Sequence, residues 1–353
     1  MTHLRPIAAL LAATLWIFLP CARAQAAPQG PLVFRAEVNV VGLNIAVTDR
    51  HGRYVTGLKP ADFAITEDGI AESIASFQEG NGVPLTLAAA APAPAAAPAD
   101  AAATDRAPEA PPRTDARPVT AAGASIYVLM DTSNYMYQGL GFVHAQDAIV
   151  GFIRSLARAD RVAFYSYSRN LSRQTLLTFS RPALVRGVRT TVNGDQAALY
   201  DALLLTLRDA RHVAGRKVVV VFSNGPDNSS LVPPSDVSEL AQSEGIPIYV
   251  VSTRHARENP VFAAAMRRLS SDTGGEAFFA RRWQNERTAF AIIRDDLQHL
   301  YFLSYYPKPN PNDGWRTIHV RLVGEQFKHD RIRTRNGYQF RPAPPAGAVS
   351  PHQ

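Results

Sequence analysis

The chain has 353 residues, 46% of them hydrophobic and 19% charged, with a formal charge of +7 and one cysteine. This composition excludes a disordered chain and a disulfide-stapled scaffold, and the length allows one large domain or two modest ones. The arginines are scattered rather than massed among aromatic residues, so nucleic acid is not an expected partner.

Residues 1–24 read as a signal peptide. Arg5 precedes an apolar run from Ile7 to Leu19, and Ala22-Arg23-Ala24 supplies a small-x-small cleavage pattern. The run is too short to span a bilayer. Pro20 before Cys21 does not make a lipid-attachment site. Cleavage after Ala24 would remove the cysteine together with Arg5 and Arg23, taking the charge from +7 to +5. The expected mature protein is secreted or periplasmic, without an integral membrane segment.

Residues 25–82 read as β-strands. Val38, Val40, Leu43, Ile45 and Val47 nearly alternate, with a slip at Val41-Gly42 that suggests a bulge. Asp49-Arg50-His51-Gly52 and Asp68-Gly69 are turn signals. Residues 83–124, dominated by Ala and Pro, read as a disordered linker. From 125 to 300, apolar strands at Ile126–Met130, Val162–Tyr167, Val218–Phe222, Ile246–Val251 and Glu276–Phe279 alternate with helical windows. Those windows are Val143–Ala157, Leu199–Ala210, Val237–Ser243, Val261–Ser270 and Thr288–Leu300, and Leu171–Phe179 supplies an edge strand. Such alternation predicts an α/β fold with a mainly parallel sheet covered on both faces. Residues 301–340 return to β-pattern, with His329–Arg335 reading as the solvent face of a strand. Neither end holds enough strands for an independent sheet, so the two should pair in one small β-sandwich. Residues 341–353 form a Pro/Ala-rich tail expected to be disordered.

The apolar run Ser125–Met130 stops on Asp131, followed by Thr132, Ser133, Asn134 and Tyr135. This stretch resembles the start of the metal-ion-dependent adhesion site of von Willebrand factor A (VWFA) domains, Asp-x-Ser-x-Ser. Val47–Leu58, Asp62-Phe63, Glu67-Asp68-Gly69, Ala198–Leu203, Gly215–Val218, Thr273-Gly274-Gly275 and Arg335–Tyr338 extend the likeness to VWFA-related proteins of the acidobacterial type. The resemblance implies a Rossmann-like VWFA domain inserted in the β-sandwich. It also implies Mg²⁺ ligands, of which Asp131 and Ser133 remain. Tyr135 stands at the second serine position, Ala197 at the threonine and Asn224 at the second aspartate. With three positions changed and one formal charge lost, no cofactor is expected and Mg²⁺ is the alternative. Asp195 and Asp227 lie near enough in sequence to compensate, or to act as turn and capping residues.

No Gly-x-Ser-x-Gly elbow, His-Glu-x-x-His or P-loop occurs, and His144, His212, His255 and His299 are dispersed. The expectation is an exported, non-enzymatic module that binds a protein partner. It would use the loops Asp131–Gln138, Gly194–Ala197 and Asn224–Ser230 at the sheet's carboxyl edge, with Tyr135, Met136, Tyr137, Asn224 and Asp227 as binding residues. The sequence leaves open whether Tyr135, Met136 and Tyr137 anchor a partner or pack over the vacated metal site. The competing expectations are a metal-dependent adhesion domain and an envelope hydrolase whose site the sequence does not reveal.

Overall fold

The computed structural model describes residues 40–87, 123–137, 141–253, 258–280 and 283–340. The expected signal segment, Val38, residues 88–122, Gln138, His255 and the tail from 341 lie outside them.

The α/β part contains β6 (Ser125–Asp131), β7 (Arg161–Tyr167), β8 (Leu171–Thr178), β9 (Lys217–Ser223), β10 (Ile248–Ser252) and β11 (Ala277–Phe279). Earlier in the chain come β1 (Val41–Thr48), β2 (Phe63–Glu67), β3 (Ile70–Glu72), β4 (Ile74–Glu79) and β5 (Leu85–Thr86). The α/β sheet runs β11-β10-β9-β6-β7-β8, parallel throughout except for the antiparallel edge strand β8. All seven residues of β6 are buried, which explains why it reads as an unbroken apolar run rather than an alternation.

The helices are α1 (Gly141–Ser155), α2 (Arg181–Arg189), α3 (Leu199–Arg211), α4 (Pro234–Ser243), α5 (Pro260–Thr273) and α6 (Trp283–His299). Ile126, Val128 and Met130 pack on the side of α1 and α6, while Tyr127 and Leu129 pack on the side of α3, α4 and α5. Sequence pattern missed α2. It is short and carries three arginines, and its start is marked by Ser180, whose hydroxyl accepts from Ala183 N, and by Pro182 in the first turn. The strand order grows outward from β6 in one direction and from β9 in the other. The carboxyl ends of β6 and β9 therefore flank the switch point where α/β sheets place their sites.

The remaining strands are β12 (Tyr301–Tyr305), β13 (Trp315–Leu322), β14 (Arg331–Arg333) and β15 (Gly337–Gln339). They interleave with the N-terminal strands in two antiparallel sheets, β14-β1-β12-β4-β5 and β15-β13-β2-β3. Leu43, Ile45, Phe63, Ile65, Phe77, Tyr301, Leu303 and Ile318 from both sheets share one core, so the two ends of the chain build one sandwich.

The expected bulge at Val41-Gly42 is absent. β1 pairs with β12 in unbroken register from Val41 to Ile45, and the strand begins after Val40, which is exposed. At the margins of the expected linker, Leu85 and Thr86 pair with β4, and Ala124 is buried beside Asp160, whose carboxylate accepts its N–H.

The arginine segment also departs from expectation. Arg331 is exposed, but Arg333 and Arg335 turn inward at the junction of sandwich and α/β sheet. Arg333 pairs with Asp296 at 2.5 Å, and Arg335 donates to the carbonyls of Gln242 and Gly42. Asn44 Nδ2 reaches Gly245 O, and Arg216 reaches Gly80 O from the other side. Alternation correctly marked a strand, but the face assumed to be wet is covered by the second half of the protein. Among the described residues, no helix is long and apolar enough to cross a membrane.

Candidate functional site

Three loops meet at the carboxyl edge, and hydrogen bonds fasten each to the next. After β6, Thr132 N and its hydroxyl both donate to Tyr167 O at the end of β7. Gly194 N donates to Thr132 O and Asn134 N to Asp195 O, which ties the loop before α3 to the loop after β6. Asn228 completes the set: its N–H donates to Ala197 O, and its side-chain oxygen accepts from Ala197 N at 2.8 Å.

Asp131 sits at the centre and is fully buried. Its Oδ1 accepts from Ser133 N at 2.8 Å, and its Oδ2 from Asn224 N at 3.3 Å and Ser223 Oγ at 3.5 Å. Burial pushes its pKa up, against the opposing pull of these hydrogen bonds. The buried Tyr167 phenol is pushed up as well, by burial first and then by the nearby Asp131 charge.

Tyr135 lies across the position where a serine hydroxyl is expected. Its ring presses on Gly225, where an added Cβ would fall 2.3 Å from a ring carbon. Asn224 Nδ2 donates to Tyr135 O at 2.7 Å, and Asn228 Nδ2 approaches the phenol oxygen at 3.4 Å. Met136, expected at the binding surface, is instead 1% exposed and packed in the apolar core beneath α1. A short helical turn over Asn134–Tyr137 directs it inward. The Tyr137 side chain lies outside the described residues.

Asp227 serves the start of α3. It accepts from Tyr200 N, from Ser229 and Ser230 N, and from the Ser230 hydroxyl at 2.5 Å. Asp201 in turn accepts from Leu231 and Val232 N. These serines and aspartates act as caps and loop clamps. Asp195 is exposed, pairs with Arg169 at 3.0 Å and accepts from Gln196 N.

The donor set for a Mg²⁺ ion is incomplete. Both Asp131 oxygens already accept from N–H or O–H groups, Ala197 offers a buried methyl, and Tyr135 fills its position with a ring. Ser133 Oγ, Asn224 Oδ1 and the Tyr167 phenol oxygen are nonetheless among the buried side-chain atoms without a hydrogen-bond partner in the described residues.

Among exposed polar residues such as Asn134, Asp195, Gln196 and Asn228, the edge also holds out two large apolar side chains. Leu231 is 93% exposed and Val192 75% exposed, and the half-buried Tyr135 lies between clamped loops. Sequence reading missed Leu231 and Val192 because an isolated apolar residue in a loop has no periodicity to mark it.

Residues 125–291 match the von Willebrand factor type A domain family, and the chain carries that domain. It is a VWFA-related domain protein. Similar solved structures include the conserved hypothetical protein BatB from Bacteroides thetaiotaomicron, at 15% identity and a TM-score of 0.42, covering 49% of this chain and 98% of that one. A von Willebrand factor type A protein from Catenulispora acidiphila is 12% identical, with a TM-score of 0.42 over 62% of this chain and 67% of that one. The vWF domain of the type V pili tip protein Mfa5 from Porphyromonas gingivalis is 11% identical, with a TM-score of 0.39 over 49% and 94%. None is similar enough to transfer a function. No curated protein matches the chain.

Proposed function

We propose that the protein is an exported, non-enzymatic binding module that holds a protein partner at the carboxyl edge of its VWFA sheet. The observation that carries this reading is the exposure of Leu231 and Val192 on loops already fixed by the Asn228, Asp195 and Thr132 hydrogen bonds. Apolar side chains held out on ordered loops lose little entropy on docking, which is what an interface anchor requires. Tyr135 adds an apolar body with a polar tip. Export rests on the Arg5, Ile7–Leu19 and Ala22-Arg23-Ala24 pattern, and N-terminal sequencing that returns Gln25 as the first residue supports it. Recovery of Met1 would remove it.

The binding test compares wild type with the Leu231→Asp/Val192→Asp variant in pull-downs from envelope extract. A partner retained by wild type and lost by the variant, with an unchanged melting temperature, supports the reading. Equal retention rejects the carboxyl edge as the contact.

The unmatched Ser133 and Asn224 oxygens favour a second reading, a metal-assisted adhesion site with an incomplete ligand set. Calorimetric titration with Mg²⁺ and Mn²⁺ separates the two, since only the second predicts heat of binding at the wild-type site.

A further inference from the structure

A second concave surface lies at the other end of the α/β sheet. Gly275 and Glu276, which lead into the amino end of β11, line a cleft of about 660 Å³ together with residues of β1, α5 and β14. Arg267 of α5 and Arg331 of β14 reach into it as exposed side chains. Neither forms an ion pair among the described residues. Arg267 lies with its guanidinium 4.6 Å from the Phe279 ring centroid, which steadies the side chain while leaving its charge unmatched. Arg333 forms the floor, its charge taken up by Asp296.

Glu276 is the one acidic residue of the lining. Burial pushes its pKa up, with the Arg333 charge opposing that shift. On the rim, Gly52 belongs to a turn that also carries the exposed Arg50 and His51. Asp49 in that turn is held by Arg53. The cleft therefore presents more unmatched positive than negative charge.

Its walls also carry two sheet edges. β14 ends the sheet β14-β1-β12-β4-β5, and β11 ends the α/β sheet. Terminal strands have one row of backbone groups without strand partners, which suits an added extended segment.

We propose that this cleft binds an extended acidic segment of a partner protein, with Arg267 and Arg331 recognising its carboxylates. Arginine suits this role because its planar fork pairs with carboxylates in two-point contacts. The inference is independent of the carboxyl-edge reading, because the two surfaces lie at opposite ends of the sheet.

The test uses the mature protein and a fluorescein-labelled peptide alternating glutamate and serine, followed by fluorescence anisotropy. Wild type should bind it with an affinity that falls as salt rises. The Arg267→Gln/Arg331→Gln variant should lose about tenfold. Glu276→Gln should tighten binding by about twofold to threefold, because it removes the acidic residue that opposes the ligand. Leu231→Asp should leave peptide binding unchanged. Failure of wild type to bind, equal binding of the alternating lysine peptide, or equal binding by the double-arginine variant would overturn the proposal. So would binding of inorganic phosphate or phosphatidylglycerol vesicles in place of the peptide.

Discussion

Glu67 and Asp131 are both almost completely buried carboxylates, and their surroundings treat them in opposite ways. Glu67 in the sandwich, 1% exposed, meets a cation: Arg316 Nη1 lies 2.9 Å away, and the phenols of Tyr305 and Tyr338 donate at 2.7 and 3.1 Å. Asp131 in the VWFA sheet, 0% exposed, meets two backbone N–H groups and a distant serine hydroxyl. Glu67 is a cross-link between strands from opposite ends of the chain, since β13 and β15 bring Arg316 and Tyr338 to β2. Among the described residues no cationic side chain pairs with Asp131. Burial alone does not make a carboxylate functional. The charge that faces it decides.

The comparison breaks most visibly at Arg316. Arg316→Met keeps the apolar stem but leaves Glu67 without its cation in the sandwich interior. Removing one partner of a buried pair destabilises by about 3–5 kcal/mol, so urea unfolding should show a midpoint shift of that size. A loss below about 1 kcal/mol would mean that the two phenols alone satisfy Glu67.

At Asp131 the missing cation can be offered instead of removed. Tyr135→Ser, Ala197→Thr and Asn224→Asp together return two hydroxyls and one carboxylate to the loops. The ring over Gly225 and the Asn224–Tyr135 hydrogen bond are lost, so the triple variant should be less stable than wild type without metal. An ion that binds only the folded state then adds about 2.7 kcal/mol at a hundredfold excess over Kd. Melting curves with Mg²⁺ and with EDTA should diverge for the variant and coincide for wild type. A wild-type protein that Mg²⁺ stabilises as strongly would promote the metal-assisted reading.

Much of this was readable in advance, and the unreadable part has a physical pattern. Buried parallel strands write themselves as apolar runs, so β6 and β9 and the position of Asp131 at the switch point follow from sequence. The pairing of the chain's two ends followed from too few strands at each. The Glu67–Arg316 contact left no local trace, because its partners are far apart in the chain and each looks like an ordinary strand charge. Arg333 and Arg335 misled for the same reason: alternation reveals which residues share a face, not what covers that face. For Met136 the sequence left surface anchor and inward packing open, because the one short helical turn that rotates it into the core is invisible in composition.

Glu286 supplies a third environment. It is 5% exposed, and its Oε2 meets no hydrogen-bond donor among the described residues. Burial raises its pKa from 4.5 to about 7. The folded state therefore holds the proton more tightly than the unfolded chain, and stability is greatest below pH 4.5 as far as this group is concerned. It declines as the unfolded chain ionises, until the folded carboxyl ionises near pH 7. Glu286→Gln should leave stability unchanged near pH 4 and add about 2 kcal/mol at pH 8. Parallel stability curves for the two proteins across that range would show that Glu286 finds solvent or a partner in the folded state.

The smallest effect belongs to the same chemistry moved to the surface. Arg189 of α2 and Asp147 of α1 approach to 2.6 Å, closer than Arg316 and Glu67, yet their side chains are 42% and 37% exposed. Water already solvates both charges, so the pair gains little and both long side chains lose freedom. Arg189→Gln and Asp147→Asn, alone and together, should show a coupling of about 0.5 kcal/mol or less that vanishes at high salt. Set against the several kilocalories expected at Arg316, that result would assign the difference to the environment rather than to the separation of the charges. A coupling of the same size at both sites would show instead that α1 and α2 are held as tightly by their surface ion pair as the sandwich is by its buried one.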